Sequence, residues 1–423
     1  MKERENMESS RYPAYYKYVI LVVCSVFLAM VYVTLSTWGV CSPIFQEKFQ
    51  LSSALAMAGS ATLMAGYAIG SFLEGRMMAS IGWRKTFLFA MVMFLVPIFL
   101  IPQMTNYTVI LVLRFMQGFG LVVTITNSMV CGWFPANQRG LASGILLGFI
   151  ALGSAVGSML PGVITPKFGW QANFYILGAA VVVGTVLFLL LVKDPPALDE
   201  GGDGAEEKVI VKLKPGRSVY SHPIMIMLGF AMFCVFFNVY GMYSFLSTYL
   251  YDMGYATAQV GSIGFWNGLI GLISTPFGGW IGDALIKRGM PTIRARAYSM
   301  GVVAFLIGAI GCILMPSMAP VSLTMAVIPA MLAGWGCPAA NGPICSLPSD
   351  VFGAKIGGGA VGFILLVAGA GGVIAPIAVP AIASAFGWNV GWYVTGAAAL
   401  IGLGVCLFTP TLAERAEKNW VSM

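Results

Sequence analysis

Twelve apolar runs, each about the twenty residues a helix needs to cross a bilayer, fill most of this chain. They lie near 17–41, 54–79, 86–103, 107–133, 140–166 and 170–193, and again near 223–250, 258–283, 296–316, 320–346, 357–384 and 388–411. Hydrocarbon offers backbone N–H and C=O groups no partner, so each run must close its own hydrogen bonds as an α-helix. A membrane barrel would instead show short segments of alternating polarity. The expected fold class is therefore an all-α membrane protein with twelve transmembrane helices. Composition agrees: 58% of the 423 residues are hydrophobic and 9% are charged, against about 25% charged in soluble domains.

The basic residues orient the spans. Twenty of the 23 Lys and Arg residues fall in tails and loops that alternate onto one side. Lys48 and Lys167 fall on the other side, and Arg114 lies inside the fourth span. The positive-inside rule then places both termini in the cytoplasm of a multi-pass protein of the cell (inner) membrane. The charged start, MKERENMESSR, leads into a long span without a small-residue cleavage site and reads as a retained cytoplasmic tail. The net charge of +7 is spread over short loops, so nucleic acid is not an expected partner. The eight cysteines sit in or beside apolar runs with no CxxC pair. Neither a disulfide framework nor a metal site is indicated, and no cofactor is expected. With no Ser/His/Asp set and no G-x-x-x-x-G-K-[ST] loop, neither an enzyme nor an ATP-driven pump is expected.

Between the sixth and seventh spans lies the one extended polar stretch, KDPPALDEGGDGAEEKVIVKLKPGRSVYSHP. It reads as a linker, giving an N-terminal six-helix bundle over 1–193, a cytoplasmic linker over 194–222 and a C-terminal six-helix bundle over 223–423. The halves repeat one another. WFPANQRGLASG (133–144) aligns without gaps onto VFGAKIGGGAVG (351–362). At the same offset Phe168-Gly169-Trp170 meets Phe386-Gly387-Trp388. Two pseudo-symmetric parallel halves are a known secondary-transporter plan, with the substrate site between them near mid-membrane.

Three motifs add a resemblance. GGWIGDALIKRG after the eighth span carries Gly279, Asp283, Arg288 and Gly289. GRMMASIGWRK after the second keeps Gly75, Gly82, Arg84 and Lys85 but has Ala79 where the other copy has Asp283. The fourth span reads Arg114-Phe-Met-Gln117-Gly118-Phe-Gly120. With these the chain resembles the major facilitator superfamily over essentially its whole length. WFPANQRGLASGI, FLSTYLYDMGYATAQVGS and the loop after span 8 are similar to its organic-anion branch, the anion:cation symporters. That branch usually has an Asp-Arg pair on span 1 and a Glu seven residues after the span 4 Arg. This chain has VYVTLSTWGV and Leu121.

The resemblance implies that spans 1, 4, 7 and 10 line the cavity. Substrate candidates are then Arg114, Gln117 and Asn127 on span 4, Asn238, Tyr240 and Tyr243 on span 7, Tyr32 on span 1, and Trp335 and Asn341 on span 10. Unbroken helical spacing would set Arg114, Gln117, Leu121, Thr124 and Ser128 along one face. A guanidinium can grip a carboxylate through two parallel hydrogen bonds, or it can pin span 4 to neighbouring carbonyls. A tyrosine offers an apolar ring with a hydroxyl donor. The Gly and Pro residues of span 10 suit a deformable helix.

Coupling or gating candidates are Gly279, Asp283, Arg288, Arg84, Lys85 and Glu74. For Glu74 the expectation is local pairing with a loop cation, with a proton site as the alternative. His222 reads as a helix-end residue. The function expected is secondary transport of small organic anions, carboxylates foremost, by alternating access, as an antiporter or proton-linked symporter. The alternatives are a neutral or zwitterionic solute with Arg114 structural, or a transport-dead sensor. Expected partners are the anion, protons or a counter-anion, and the lipid bilayer, with the chain a monomer.

Overall fold

The computed structural model describes residues 13, 15–51, 53–195, 218–255 and 257–420. The expected linker and the N-terminal tail lie largely outside the described residues. The N-terminal half contains α1 (Tyr16–Phe49), α2 (Ser53–Ile81), α3 (Trp83–Leu100), α4 (Tyr107–Gly118), α5 (Val123–Trp133), α6 (Ala136–Phe168) and α7 (Trp170–Leu191). The C-terminal half contains α8 (Pro223–Asp252), α9 (Thr257–Lys287), α10 (Thr292–Tyr298), α11 (Ile307–Met318), α12 (Leu323–Phe352), α13 (Ala354–Phe386) and α14 (Trp388–Trp420). A π-helical turn, Ser299–Leu306, joins α10 to α11 as one rod. Among the described residues, eleven helical segments are long and apolar enough to span a membrane. The further expected span is α2, a continuous helix of 29 residues.

The internal repeat is visible as geometry. Gly169 and Gly387 stand between paired helices at φ +81° and +95°. Only glycine enters that region freely, so the matched Phe-Gly-Trp triplets set the same tight corner in both halves. Aromatic side chains fill each half: Phe87 stacks on Phe188 at 4.2 Å in one, and Phe245 meets Trp392 at 4.9 Å in the other.

The halves meet along two seams, α2 against α13 and α6 against α9. Both are glycine contacts toward the end of the bundle that carries most of the basic loops, here termed the basic end. A Cβ on Gly75 would lie 2.1 Å from the Gly359 carbonyl oxygen, and one on Gly279 would lie 1.9 Å from that of Gly140. The bundle is closed at this end.

The fourth span departs from the expectation of an unbroken polar face. It splits into α4 and α5 around a turn at Phe119–Val122. Close packing explains the split. A Cβ on Gly118 would meet the Leu63 carbonyl of α2 at 2.3 Å, and one on Gly120 the Ala90 carbonyl of α3 at 2.3 Å. Val122 takes up the change of direction at φ +50°, a strained position for a β-branched residue.

Candidate functional site

A cavity of about 560 Å³ lies between the halves. The first half contributes Tyr32, Tyr67, Val123 and Ser154 to its wall, and the second Tyr240, Tyr243, Thr275 and Asn341, with Met, Val and Leu side chains between them. None of its described lining residues is ionic. Tyr67 of α2 stacks across the interface on Phe236 of α8, the rings 6.4 Å apart and 12° from parallel. Phe236 in turn meets Tyr240 edge-on at 5.3 Å.

The polar groups on this wall differ in how far they are committed. The Tyr32 and Tyr67 hydroxyls face each other. Tyr243 donates to Asn267 Oδ1 at 2.7 Å, and Asn267 Nδ2 donates to the Ala330 carbonyl at 2.6 Å. Thr275 donates to Gly271 within its own helix at 2.8 Å. The Asn341 carboxamide oxygen, by contrast, has no hydrogen-bond partner among the described residues.

Of the expected substrate residues, Tyr32, Tyr240, Tyr243 and Asn341 line the cavity together. The others lie elsewhere. Arg114 is 2% exposed inside the first half. Its Nε donates to the Gly59 carbonyl at 3.3 Å and its Nη1 to Gln117 Oε1 at 2.7 Å. Its guanidinium also stands 4.5 Å from the Trp38 ring centre. Arg114 and Gln117 thus tie α4 to α1 and α2, outside the cavity lining. Asn127 donates to the Cys345 carbonyl at 3.1 Å and accepts from Ser143. Asn238 donates to the Thr395 carbonyl at 2.9 Å. Trp335 packs on Phe277 at 5.2 Å.

Sequence reasoning missed Tyr67, Ser154 and Thr275 on the wall, and Asn267 behind it. A carboxamide in the middle of an apolar span was the available signal for Asn267, because such a group demands partners in hydrocarbon.

The gating candidates converge at the basic end. Asp283 accepts from the Gly140 and Leu141 N–H groups of α6 at 3.2 and 2.7 Å. Its cation is Arg296, at 2.7 Å, and not Arg288, which is exposed. Arg296 also reaches Asp350 at 2.9 Å and donates to the Ala136 carbonyl at 3.0 Å. Arg139 stands 3.6 Å from Asp350 and donates to the Ser349 carbonyl at 3.0 Å. Two cations and two carboxylates thereby form a buried, charge-balanced network across the α6–α9 and α6–α12 contacts. Gly279 lies beside it. Arg84 and Lys85 are exposed, with Arg84 over the Trp83 ring at 5.0 Å.

Glu74 corrects an expectation. Among the described residues it pairs with no loop cation: Glu74 is 3% exposed and neither carboxyl oxygen has a hydrogen-bond partner. Arg76, Arg84 and Lys85 turn outward instead, because a long cationic stem can reach water while the carboxyl is enclosed by helices.

Comparison with known proteins places this architecture. The chain is 25% identical over 408 residues to the "Probable sulfoacetate transporter SauU" of Cupriavidus necator, covering 92% of each. It is 24% identical over 309 residues to the "Probable galactarate/D-glucarate transporter GarP" of Escherichia coli, covering 66% of this chain and 70% of that one. The crystal structure of the human organic anion transporter MFSD10 (TETRAN) superposes with a TM-score of 0.70 at 13% identity, covering 94% of this chain and 100% of that one, a likeness of fold. The sequence profile of the Major Facilitator Superfamily matches residues 19–297. The chain belongs to the Major Facilitator Superfamily of membrane transporters.

Proposed function

We propose that this protein is a secondary transporter of a small organic acid, bound in the central cavity as a monoanion. The basic end faces the cytoplasm, and the two halves rock about the bound solute. The observation that carries the reading is the cavity wall: phenol hydroxyls and a carboxamide converge there, and none of its described side chains carries a charge. A hydrogen bond to an ionised group contributes about 1.5–3 kcal/mol. The Tyr240 hydroxyl, the Tyr32–Tyr67 pair and Asn341 can together offset the several kcal/mol that removing one carboxylate from water costs. A second carboxylate without a counter-cation exceeds that. The two relatives are named for sulfoacetate and for galactarate and glucarate, solutes with two acidic groups each, which supports an anionic solute; the uncharged, largely apolar wall favours a single charge on a carbon body.

A neutral solute is the second reading, favoured by the position of Arg114 outside the lining. Counterflow in proteoliposomes separates the two with charge-graded probes: sorbitol, gluconate and glucarate, and benzamide, benzoate and phthalate. The monoanion of each set should compete at least tenfold better than its neutral and doubly charged counterparts. Tyr240→Phe should raise the KM for that monoanion about tenfold, the equivalent of one lost charge-assisted hydrogen bond. Equal competition by the neutral members would overturn the anion reading.

A further inference from the structure

Glu74 lies where three helices meet. The next residue on α2, Gly75, is in backbone contact with Gly359 of α13. One turn earlier, the Ser71 carbonyl accepts from the Thr124 hydroxyl of α5 at 3.3 Å. A Cβ on Gly362 of α13 would fall 2.1 Å from the same oxygen. The Val122 N–H, at the strained turn before α5, faces the carboxyl outside hydrogen-bond geometry. Tyr67, Ser71 and Glu74 recur at helical spacing along one face of α2, and Tyr67 opens on the cavity.

Among the described residues, the charged and titratable groups on the surrounding elements do not neutralise it. On α1 and α2 these are Tyr32 and Tyr67, with Arg76 exposed. On α3 they are Arg84 and Lys85, both exposed. On α4 Arg114 stands beside Gly59, fifteen positions along α2 and so on the order of 20 Å away. On α5 there is Cys131, and on α13 Lys355, whose side chain lies outside the described residues. An enclosed carboxyl that faces one backbone N–H and has no cation beside it among the described residues favours the neutral acid.

We infer that Glu74 carries a proton that moves with the solute, and that opening of the α2–α13 seam releases it. The inference rests on the transport reading above and deepens it. While the seam is closed the acid keeps its O–H bond. When α2 parts from α13, water reaches the carboxyl, the O–H bond breaks and the proton passes to that water at the basic end. Once the seam has closed and the cavity opens at its other end, the carboxylate regains a proton from water on that opposite side, so each cycle moves one proton across with the solute. The other seam explains why this one needs such a group. There Asp283 and Arg296 form an ionic clasp, whereas in the first half Ala79 stands at the position of Asp283.

The test uses wild type, E74Q and E74D in proteoliposomes, with gluconate or benzoate, whichever exchanges faster, as the probe. In E74Q exchange should persist, while accumulation driven by an acidic exterior should fall at least tenfold to the gradient-free level. E74D should retain part of the pH-driven accumulation. Infrared difference spectra of wild type at neutral pH should show a protonated-carboxyl carbonyl band, shifted in heavy water and missing from E74Q. Unchanged pH-driven accumulation in E74Q overturns the inference. So does loss of exchange together with accumulation, accumulation driven by a sodium gradient instead, or absence of the band. If wild type exchanges neither probe, the transport reading fails separately, and the infrared band alone decides the state of Glu74.

Discussion

A guanidinium taken out of water must find acceptors for its fixed fork of N–H donors. Arg114, Arg139 and Arg296 solve this in different ways. Arg296 uses two carboxylates, Arg139 uses three backbone carbonyls and one carboxylate, and Arg114 uses a carbonyl, a carboxamide and an indole face. His222 at the start of α8 adopts the opposite solution and stays uncharged. It is 1% exposed, its Nδ1 accepts from the Ile224 N–H at 3.3 Å, and burial pushes its pKa down to about 4. The unfolded chain binds this proton near pH 6.5. Above 6.5 both states are neutral and the group adds no pH dependence. Between 6.5 and 4 only the unfolded chain is protonated, so stability falls as pH falls through this window. Thermal unfolding in detergent from pH 8 to 4 should show this decline, and His222→Gln should flatten it. Sequence identified both residues as buried or helix-end groups. It could not tell which way Arg114 turns, because that depends on Gly59 of another helix leaving room for Trp38.

At the scale of elements, twelve apolar runs foretold twelve rods because hydrocarbon leaves the backbone no alternative. The break in span 4 was not legible. Gly118 and Gly120 were read as a family motif, whereas their role is contact with α2 and α3, a property of neighbours far away in the chain. The same limit applies to the clasp at the basic end. The motif pointed to Asp283 and Arg288, but the partner, Arg296, comes from the start of α10 and binds through α6 as well. Removing one member of a buried charge network costs about 3–5 kcal/mol. Asp283→Asn leaves Arg296 with a single carboxylate and weakens the acceptor for two α6 N–H groups. Since the clasp exists only while α6 and α9 touch, its loss should favour opening of the basic end. A cysteine introduced at the cavity position Ser154 should then react with a membrane-impermeant thiol reagent applied from the basic end at least tenfold faster in D283N than in the parent. Equal rates would show that the clasp does not hold this end shut.

At the scale of the whole molecule, the repeat read from sequence becomes a pair of seams related by pseudo-symmetry. Gly75 corresponds to Gly279 through the two loop motifs, and Gly359 falls next to the counterpart of Gly140 through the other repeat. Each seam brings a glycine of one half onto a backbone carbonyl of the other, at 2.1 and 1.9 Å for an added Cβ. Backbones that close leave no room for a methyl group, so Gly75→Val and Gly279→Val should each prevent closure of the basic end while leaving each half intact. Where the two halves rock as rigid bodies, a wedge at either seam should block the same global step. Both variants should therefore lose exchange at least tenfold, and in both the Ser154→Cys probe should become accessible from the basic end. The seams differ in what else they carry, ionic at α6–α9 and a lone carboxyl at α2–α13, so pH should act through the α2–α13 seam. Beyond the slowing that loss of thiolate imposes on every variant, lowering the pH should slow labelling of the parent, where a protonated Glu74 favours the closed seam, and should add no further slowing in either valine variant. A response confined to one wedge would mean that the halves close independently at the two seams and do not rock as units.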